Sequence, residues 1–241
     1  MNEGSGSRIA DISGYGNHGT LKNVSPNAQF SGWGGTRLGG GVELDGSDDY
    51  ISCGGGSCLA PAKFTVSVDI FPRAWDSYNK IFCRYYNGDG YYVEQQYTAI
   101  VFYMYSAWSG VSTQFIAPDY GVDTNTWSNI IASTDGATME LYVNGQPASS
   151  DPSSPVGIPD TDFIIGASSS GSSSFNGIID NCSVYNRSLS PSEKKQLYED
   201  PFCNILSPSV ARYYISPAGP RTTRNTRQTM NVHPGVMFQT Y

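Results

Sequence analysis

Charge is scarce in this 241-residue sequence: Asp, Glu, Lys and Arg together make up 15% of it. Long apolar runs are missing as well. No stretch of 18 apolar residues occurs, so no membrane-spanning helix is expected. There are two histidines, His18 and His233, and neither stands near a Ser or Cys nucleophile motif, which leaves a catalytic triad without its base. The five cysteines (Cys53, Cys58, Cys83, Cys182 and Cys203) include no CxxC pair and no Cys/His cluster, which argues against zinc. The opening MNEGSGSRIAD lacks a basic segment followed by an apolar one, so the chain as given carries no secretory signal and reduced thiols are the default. Cys53 and Cys58 flank a flexible GGGS and could close a small disulfide under oxidising conditions, while Cys203 is the odd one out.

What the chain does have is glycine (27 residues), tyrosine (17) and recurrent Ser/Thr clusters. That mixture of turn formers and β-formers predicts many short strands joined by tight turns. Phe64, Val66, Val68 and Ile70 alternate with Thr65, Ser67 and Asp69, and Met139, Leu141 and Val143 alternate with Glu140 and Tyr142. These are half-buried antiparallel strands. Asn144-Gly145 supplies the two positive-φ positions of a type I′ hairpin turn, and NGDG (87–90) and Asp135-Gly136 are further turns. The expected architecture is all-β, a two-sheet antiparallel sandwich. One short surface helix is expected within 190–200, where Ser190 can cap, Pro191 suits the first turn and Glu193 completes a capping box.

Charge divides the chain in two. All 21 acidic residues lie at or before Asp200 with 10 of the 14 basic ones, so residues 1–200 carry −11 and residues 201–241 carry +4. Residues 1–200 are therefore read as the sandwich and 201–241 as a basic arm, broken by five prolines. Such a segment is either a frayed end or an arm that orders on a partner. Its scattered anchors favour the second reading: Phe202, Cys203, Tyr213 and Tyr214 can fill pockets while Arg212, Arg221, Arg224 and Arg227 meet acidic groups on adjacent subunits. The arm is expected to run away from its own sandwich. Specific nucleic-acid binding is not expected.

Period-two reading of IIDNCSVYN places Asp180, Cys182 and Val184 on one face, so Asp180 points to an otherwise apolar side and needs a hydrogen-bond partner or a cation. In DISGYGNHG, the oxygens of Asp11, Ser13 and Asn17 could join Asp180 around Ca²⁺. The alternative is that Asp11 and Asn17 form Asx turns and Asp180 accepts backbone N–H groups. Tyrosines crowd residues 85–105, with Trp108 close behind; Tyr91, Tyr92 and Trp108 are candidates for stacking on sugar faces, against an ordinary cross-strand role.

Four phrases carry a family resemblance: ADISGYGNHGTL (10–21), GGGVELDGSDDYI (39–51), WSNIIASTDGATMELYVNGQ (127–146) and FNGIIDNCSVYNRSLSPSEKKQLY (175–198). In this order they resemble the laminin G-like, pentraxin-related concanavalin A-like domains. The resemblance implies a jelly-roll sandwich, a mostly non-catalytic glycan-binding or adhesion role, and a structural calcium where the N-terminal loop meets the last strand. Asp48 and Asp49 match the family's aspartate pair, which can serve ligand-site calcium, against the reading of a solvated turn. Glu43, Asp45 and Asp48 approximate the acidic strand of laminarinase-like hydrolases. Glu43 and Asp45 could meet the spacing that paired carboxylates need, but Gly46-Ser47 then turns the chain and Asp48 falls out of register, and the match to the family's DG-x-DDY phrase explains these residues without catalysis. Relatives begin with an apolar strand that is absent before Met1, so one sheet edge is expected to lack its strand and to invite another segment. QLYEDPFCNILSPSVARYY resembles the ends of such proteins in tailed bacteriophages and prophages. That likeness implies a virion component of capsid or tail, assembled in the host cytoplasm with other virion subunits or copies of itself, with glycans as further partners. A bacterial cell-surface adhesion module is the alternative.

Overall fold

In the computed structural model, the alternating segments become two stacked antiparallel sheets. The structure describes residues 6–24, 32–34, 41–59, 61–74, 77–97, 99–106, 111–117, 122–153, 157, 159–201, 203 and 235–237. The strands in chain order are β1 (Arg8–Ile9), β2 (Gly19–Lys22), β3 (Gly32–Gly34), β4 (Gly41–Asp45), β5 (Tyr50–Ser52), β6 (Phe64–Pro72), β7 (Ser77–Tyr86) and β8 (Asp89–Gln96). They continue with β9 (Ala99–Ser106), β10 (Val111–Ala117), β11 (Ser128–Thr134), β12 (Thr138–Val143), β13 (Gln146–Pro152), β14 (Ile164–Ile165), β15 (Asn176–Tyr185) and β16 (Gly235–Met237). Sheet I runs β1-β2-β5-β14-β7-β8-β9-β10, and sheet II runs β13-β12-β11-β6-β15-β4-β3 with β16 on β15.

The core lies between the sheets. Phe64, Val66, Val68 and Ile70 of β6 meet Phe82, Tyr91, Val93, Phe102 and Met104 of sheet I, all essentially inaccessible to water. Phe64 stacks on Tyr91 at 4.2 Å and Phe82 on Phe163 at 5.9 Å. Each such side chain contributes roughly 1.5–3 kcal/mol on burial. Turn chemistry follows the sequence: Asn87 and Asn144 have φ of 49° and 50°, with Gly88 and Gly145 also positive, so the hairpins β7–β8 and β12–β13 close through turns that twist with their strands.

The single α-helix among the described residues, α1 (Pro191–Glu199), is capped as the sequence implies. Ser190 accepts from the Glu193 N–H, and the Glu193 carboxylate accepts from the Ser190 N–H at 2.8 Å. It is not a free surface helix, because Leu197 packs with Leu189, Ile131, Tyr142 and Tyr185 in a second small core on the outward face of sheet II. Lys194 is wholly buried there; its Nζ reaches Glu140 at 2.5 Å and lies 4.6 Å from the centre of the Tyr142 ring. Arg187 clamps Glu193 with two bonds of 3.0 and 2.7 Å and holds that carboxyl down at about 2. Because the folded-state pKa lies below the ordinary value, this support is complete above roughly pH 4.5 and vanishes as pH falls through the folded value. Glu193→Gln should therefore lower Tm at pH 6 by more than it does as the pH falls toward 2, where the carboxylate is being protonated; an equal deficit at both pH values would refute the coupling.

The arm departs from expectation at its end. Residues 235–237 return to their own sandwich and pair with Ser183–Tyr185 of β15, beyond the stretch 176–179 that β4 covers. The vacancy left on that edge is a row of unpaired backbone groups, and a returning strand satisfies them. Of the arm residues singled out in the sequence, Cys203 is described and packs against the small core under α1. Phe202, Arg212, Tyr213, Tyr214, Arg221, Arg224 and Arg227 lie outside the described residues. Among the described residues no helix is long and apolar enough to cross a membrane.

Candidate functional site

The outward face of sheet I carries the densest grouping of polar-tipped rings. Alternation along β8 sends Tyr91 and Val93 into the core and Tyr92 and Glu94 outward. Across the strands, Tyr92 is in register with Cys83 of β7 and Tyr103 of β9, and Gly90 with Tyr85 and Tyr105. Tyr105 stacks on Tyr92 and on Tyr103 with interplanar angles of 20° and 14° and centroids 5.8 and 5.7 Å away, while Tyr92 and Tyr103 are tilted by 32° at 4.8 Å. Tyr85 meets Tyr92 and Tyr105 edge-on at 5.6 and 5.3 Å. Gly90 has no side chain, so the Tyr85 and Tyr105 rings can meet across it.

Polar groups are fitted around these rings. Lys80 pairs with Glu94 and sits 3.9 Å from the Tyr92 centroid, a cation over a ring face. Gln96 donates to Glu94 and to the Tyr103 hydroxyl, each at 2.6 Å, and Tyr92 donates to Tyr105 at 3.4 Å. Burial raises the pKa of Tyr92 and of Tyr103, and Tyr92's bond to Tyr105 raises it further, so the hydroxyls remain protonated donors at neutral pH. Beside the platform runs the serine loop 168–174, tied to β7 by the Lys80 N–H donating to the Ser173 carbonyl at 2.9 Å. Its Ser168, Ser170 and Ser172 hydroxyls form a triangle with sides of 2.9, 3.0 and 2.9 Å at the surface. Aromatic faces with fixed donors and acceptors are what a sugar ring needs: C–H faces to stack and hydroxyls to bond.

The residues anticipated from sequence are distributed differently. Tyr91 is not a surface residue: it is fully buried, and its hydroxyl donates to the Leu59 carbonyl at 3.1 Å. Tyr92 is on the platform, and Trp108 lies outside the described residues. Asp11 shapes its own loop, one oxygen accepting from Ser13 N and the other from Asn17 N, both at 2.8 Å. Ser13 accepts from Tyr15 N, and the Asn17 amide turns to the Cys58 thiol at 3.0 Å. Cys53 and Cys58 form no disulfide.

Asp180 requires a correction. Asn181 adopts a left-handed φ of 49° and the register slips between Asp180 and Ser183, a bulge that restarts the alternation. Cys182 and Val184 consequently face the core, whereas Asp180 pairs opposite Asp69 on the other face. There the Asp69 carboxylate accepts from Asn129 at 2.8 Å and from Asn181 at 2.9 Å. Asp180 itself accepts from the Asn181 N–H at 2.8 Å; it belongs to β15 of sheet II, while Asp11, Ser13 and Asn17 lie between β1 and β2 of sheet I. Three carboxylates do converge at Asp45, Asp48 and Asp49, with oxygens within 4.8 Å of one another; Asp48 is exposed and Asp49 buried. Glu43 is ion-paired with Arg73, and Asp45 accepts from Ser47 N at 2.7 Å. Both belong to β4 of sheet II, so the carboxylates that resemble a hydrolase strand lie on the sheet opposite the tyrosines.

Sequence reading missed the serine loop, whose signal was the run SSSGSSS, and undervalued Tyr85, Tyr103 and Tyr105 beside Tyr92. It did not single out Tyr78, which with Tyr97 of the tyrosine cluster forms two exposed rings at the end of the platform.

Comparison with known proteins gives one family and a set of folds. The laminin G type of the concanavalin A-like lectin/glucanases superfamily matches residues 45–193. No curated protein matches the chain in sequence. Domain 4 of AbnA, a GH43 extracellular arabinanase from Geobacillus stearothermophilus solved with arabinotriose, superposes with a TM-score of 0.59 at 18% identity, covering 75% of this chain and 87% of that one. The binding domain of Paraclostridial Mosquitocidal Protein 1 gives 0.61 at 17% identity over 82% of this chain, which spans about half (52%) of that domain. The CBM40 of the Ruminococcus gnavus IT-sialidase, bound to α2,3 sialyllactose, gives 0.57 at 12% identity, covering 66% of this chain and 96% of that one. At these identities the likeness is one of fold.

Proposed function

The chain belongs to the concanavalin A-like lectin/glucanases superfamily, and on that premise we propose that it is a non-catalytic glycan-binding protein that reads sugars with the tyrosine face of sheet I. The observation that carries this reading is the pair of half-buried rings Tyr92 and Tyr105 stacked over the buried Tyr103, with Gln96 and Glu94 bonded beside them. Two proteins of similar fold were solved with arabinotriose and with sialyllactose, which supports a sugar as the ligand class. The absence of catalysis is supported by the ion pair that occupies Glu43 and by the turn that removes Asp48 from its strand.

The finer part of the proposal is biological setting. The phage-like QLYEDP phrase and the charge contrast between sandwich and arm support a structural or decoration protein of a tailed-phage capsid or tail, assembled in the host cytoplasm and bound through residues 201–234 to neighbouring subunits. The likeness to a toxin's binding domain supports the second reading, an adhesion module of a bacterial surface protein. Calcium enters as an ion held by oxygen donors. Asp45, Asp48 and Asp49 fit that chemistry, and Asp11, Ser13, Asn17 and Asp180 are the alternative set of oxygen donors, where the N-terminal loop and β15 approach one cavity lined by Ile9 and Asp180.

The deciding experiment is a glycan array probed with the whole chain, once with calcium and once with chelator. Retention of a defined set of glycans is expected, with Glu43→Gln behaving as wild type and no sugar released. If no glycan is retained, or if β-glucan is cleaved and Glu43→Gln abolishes the cleavage, the reading fails.

A further inference from the structure

Tyr78 and Tyr97 stand at one end of the platform in a conformation that bulky residues avoid. Their φ values are 73° and 52°, and they are 50% and 64% exposed. Neither value is imposed by tight packing of the ring. Left-handed backbone is disfavoured for any residue with a Cβ, and glycine or asparagine would meet the same need at less strain. Tyr78 occupies a slip in register between β7 and β8, and Tyr97 opens the two-residue turn between Gln96 of β8 and Ala99 of β9, where a hairpin takes positive φ; slip and turn together bring the two rings side by side. They meet edge to face at 6.4 Å. Tyr78 also lies near Tyr103, so the pair continues the platform rather than standing apart from it. A turn or bulge needs no tyrosine at such a position, and left-handed residues that carry large exposed rings are found at ligand clamps.

From Tyr92 to Tyr97 the chain advances about 17 Å at strand spacing. That is several sugar rings long. The cation within the platform, Lys80, is already paired with Glu94 and covered by the Tyr92 ring, which leaves it unsuited to a carboxylated sugar.

We propose that Tyr78 and Tyr97 form an outer binding position that grips one uncharged sugar residue of an extended glycan whose other residues lie over Tyr92 and Tyr105. The proposal rests on the glycan-binding reading and adds to it a ligand class: a neutral, linear oligosaccharide rather than a single terminal sugar or a sialylated one.

Calorimetric titration with neutral gluco-, xylo- and arabino-oligosaccharides of increasing length, and with sialyllactose, tests it. Affinity should climb with length in one neutral series, and Tyr78→Ala or Tyr97→Ala should remove about tenfold from the longest member while leaving the shortest unchanged. Tyr97→Gly supplies a second readout, because it relieves the backbone: Tm should rise by about 2–4 °C while long-chain affinity falls. If short and long sugars bind equally, if sialyllactose binds best, or if Tyr97→Ala matches wild type on the longest sugar, the outer position is wrong although the glycan-binding reading survives. If the wild type binds no sugar at all, both fall.

Discussion

Tyr92→Ala should cost about 30-fold in affinity for any glycan that the wild type retains, roughly 2 kcal/mol, while leaving the sandwich folded. Tyr92 is the centre of the platform: it stacks on Tyr105, lies against Tyr103, meets Tyr85 edge-on and carries Lys80 on its face. Removing it deletes one stacking surface and unseats its neighbours. It also uncovers the Lys80–Glu94 pair to water, where such a pair is worth little and no longer orients Gln96. Stability should suffer less than binding, since the ring lies on the outward face and leaves no hole in the core. Tyr92→Phe is the control: it keeps the ring and loses only a long hydroxyl contact of 3.4 Å, so binding close to wild type is expected. Titration of the variants beside their melting curves separates the outcomes. Unimpaired binding by a folded Tyr92→Ala protein would place the sugar elsewhere.

Much of this fold was legible because local rules and tertiary structure agree. The two Asn-Gly turns demand positive φ at adjacent positions and obtain it, and Ser190, Pro191 and Glu193 cap α1 as their spacing implies. Alternation also separates Tyr91 from Tyr92, so grouping the two as one sugar-binding pair ran against the period itself; register with the core residues Phe82 and Phe102 decides that Tyr91 and Val93 go inward. Asp180 failed for a different reason. A single extra residue at the Asn181 bulge inverts every side chain beyond it, and no hydrophobic pattern announces a bulge whose flanking residues are Asp, Asn and Cys. The platform was only half legible. A cluster of tyrosines in sequence says that rings are near one another, but which of them share a face depends on slips in the β7–β8 register after Ser77 and Lys80. The family likeness supplied the sandwich and could not supply the site, since a widely used fold carries its function in residues placed upon it.

Gly90 joins fold to site, and Gly90→Ala should be among the most damaging single substitutions in the chain. Its φ is 115°, and a Cβ there would lie 2.1 Å from the Arg84 carbonyl oxygen and 2.9 Å from the Tyr85 Cα. Both obstacles are backbone, so no side chain can swing aside. The hairpin must open at Tyr85↔Gly90, and the hydrogen bonds and core contacts of β7 and β8 near that pair are lost with it. A cost of about 3–5 kcal/mol is expected, roughly 6–20 °C in Tm. Gly14 isolates the steric part of that cost: its φ of 88° is also left-handed, but a Cβ would meet nothing within 4 Å. Gly14→Ala should therefore show conformational strain alone, about 1 kcal/mol. Tyr85 and Tyr105 are the register partners of Gly90 on either side, and their rings meet across it at 5.3 Å. Any Gly90→Ala protein that remains folded at low temperature should thus bind glycan poorly as well, because the rings can no longer close over that position. Melting curves of the two variants decide the matter: if Gly90→Ala melts within a degree or two of Gly14→Ala, the hairpin tolerates the intrusion and the close strand contact is not what sets the platform.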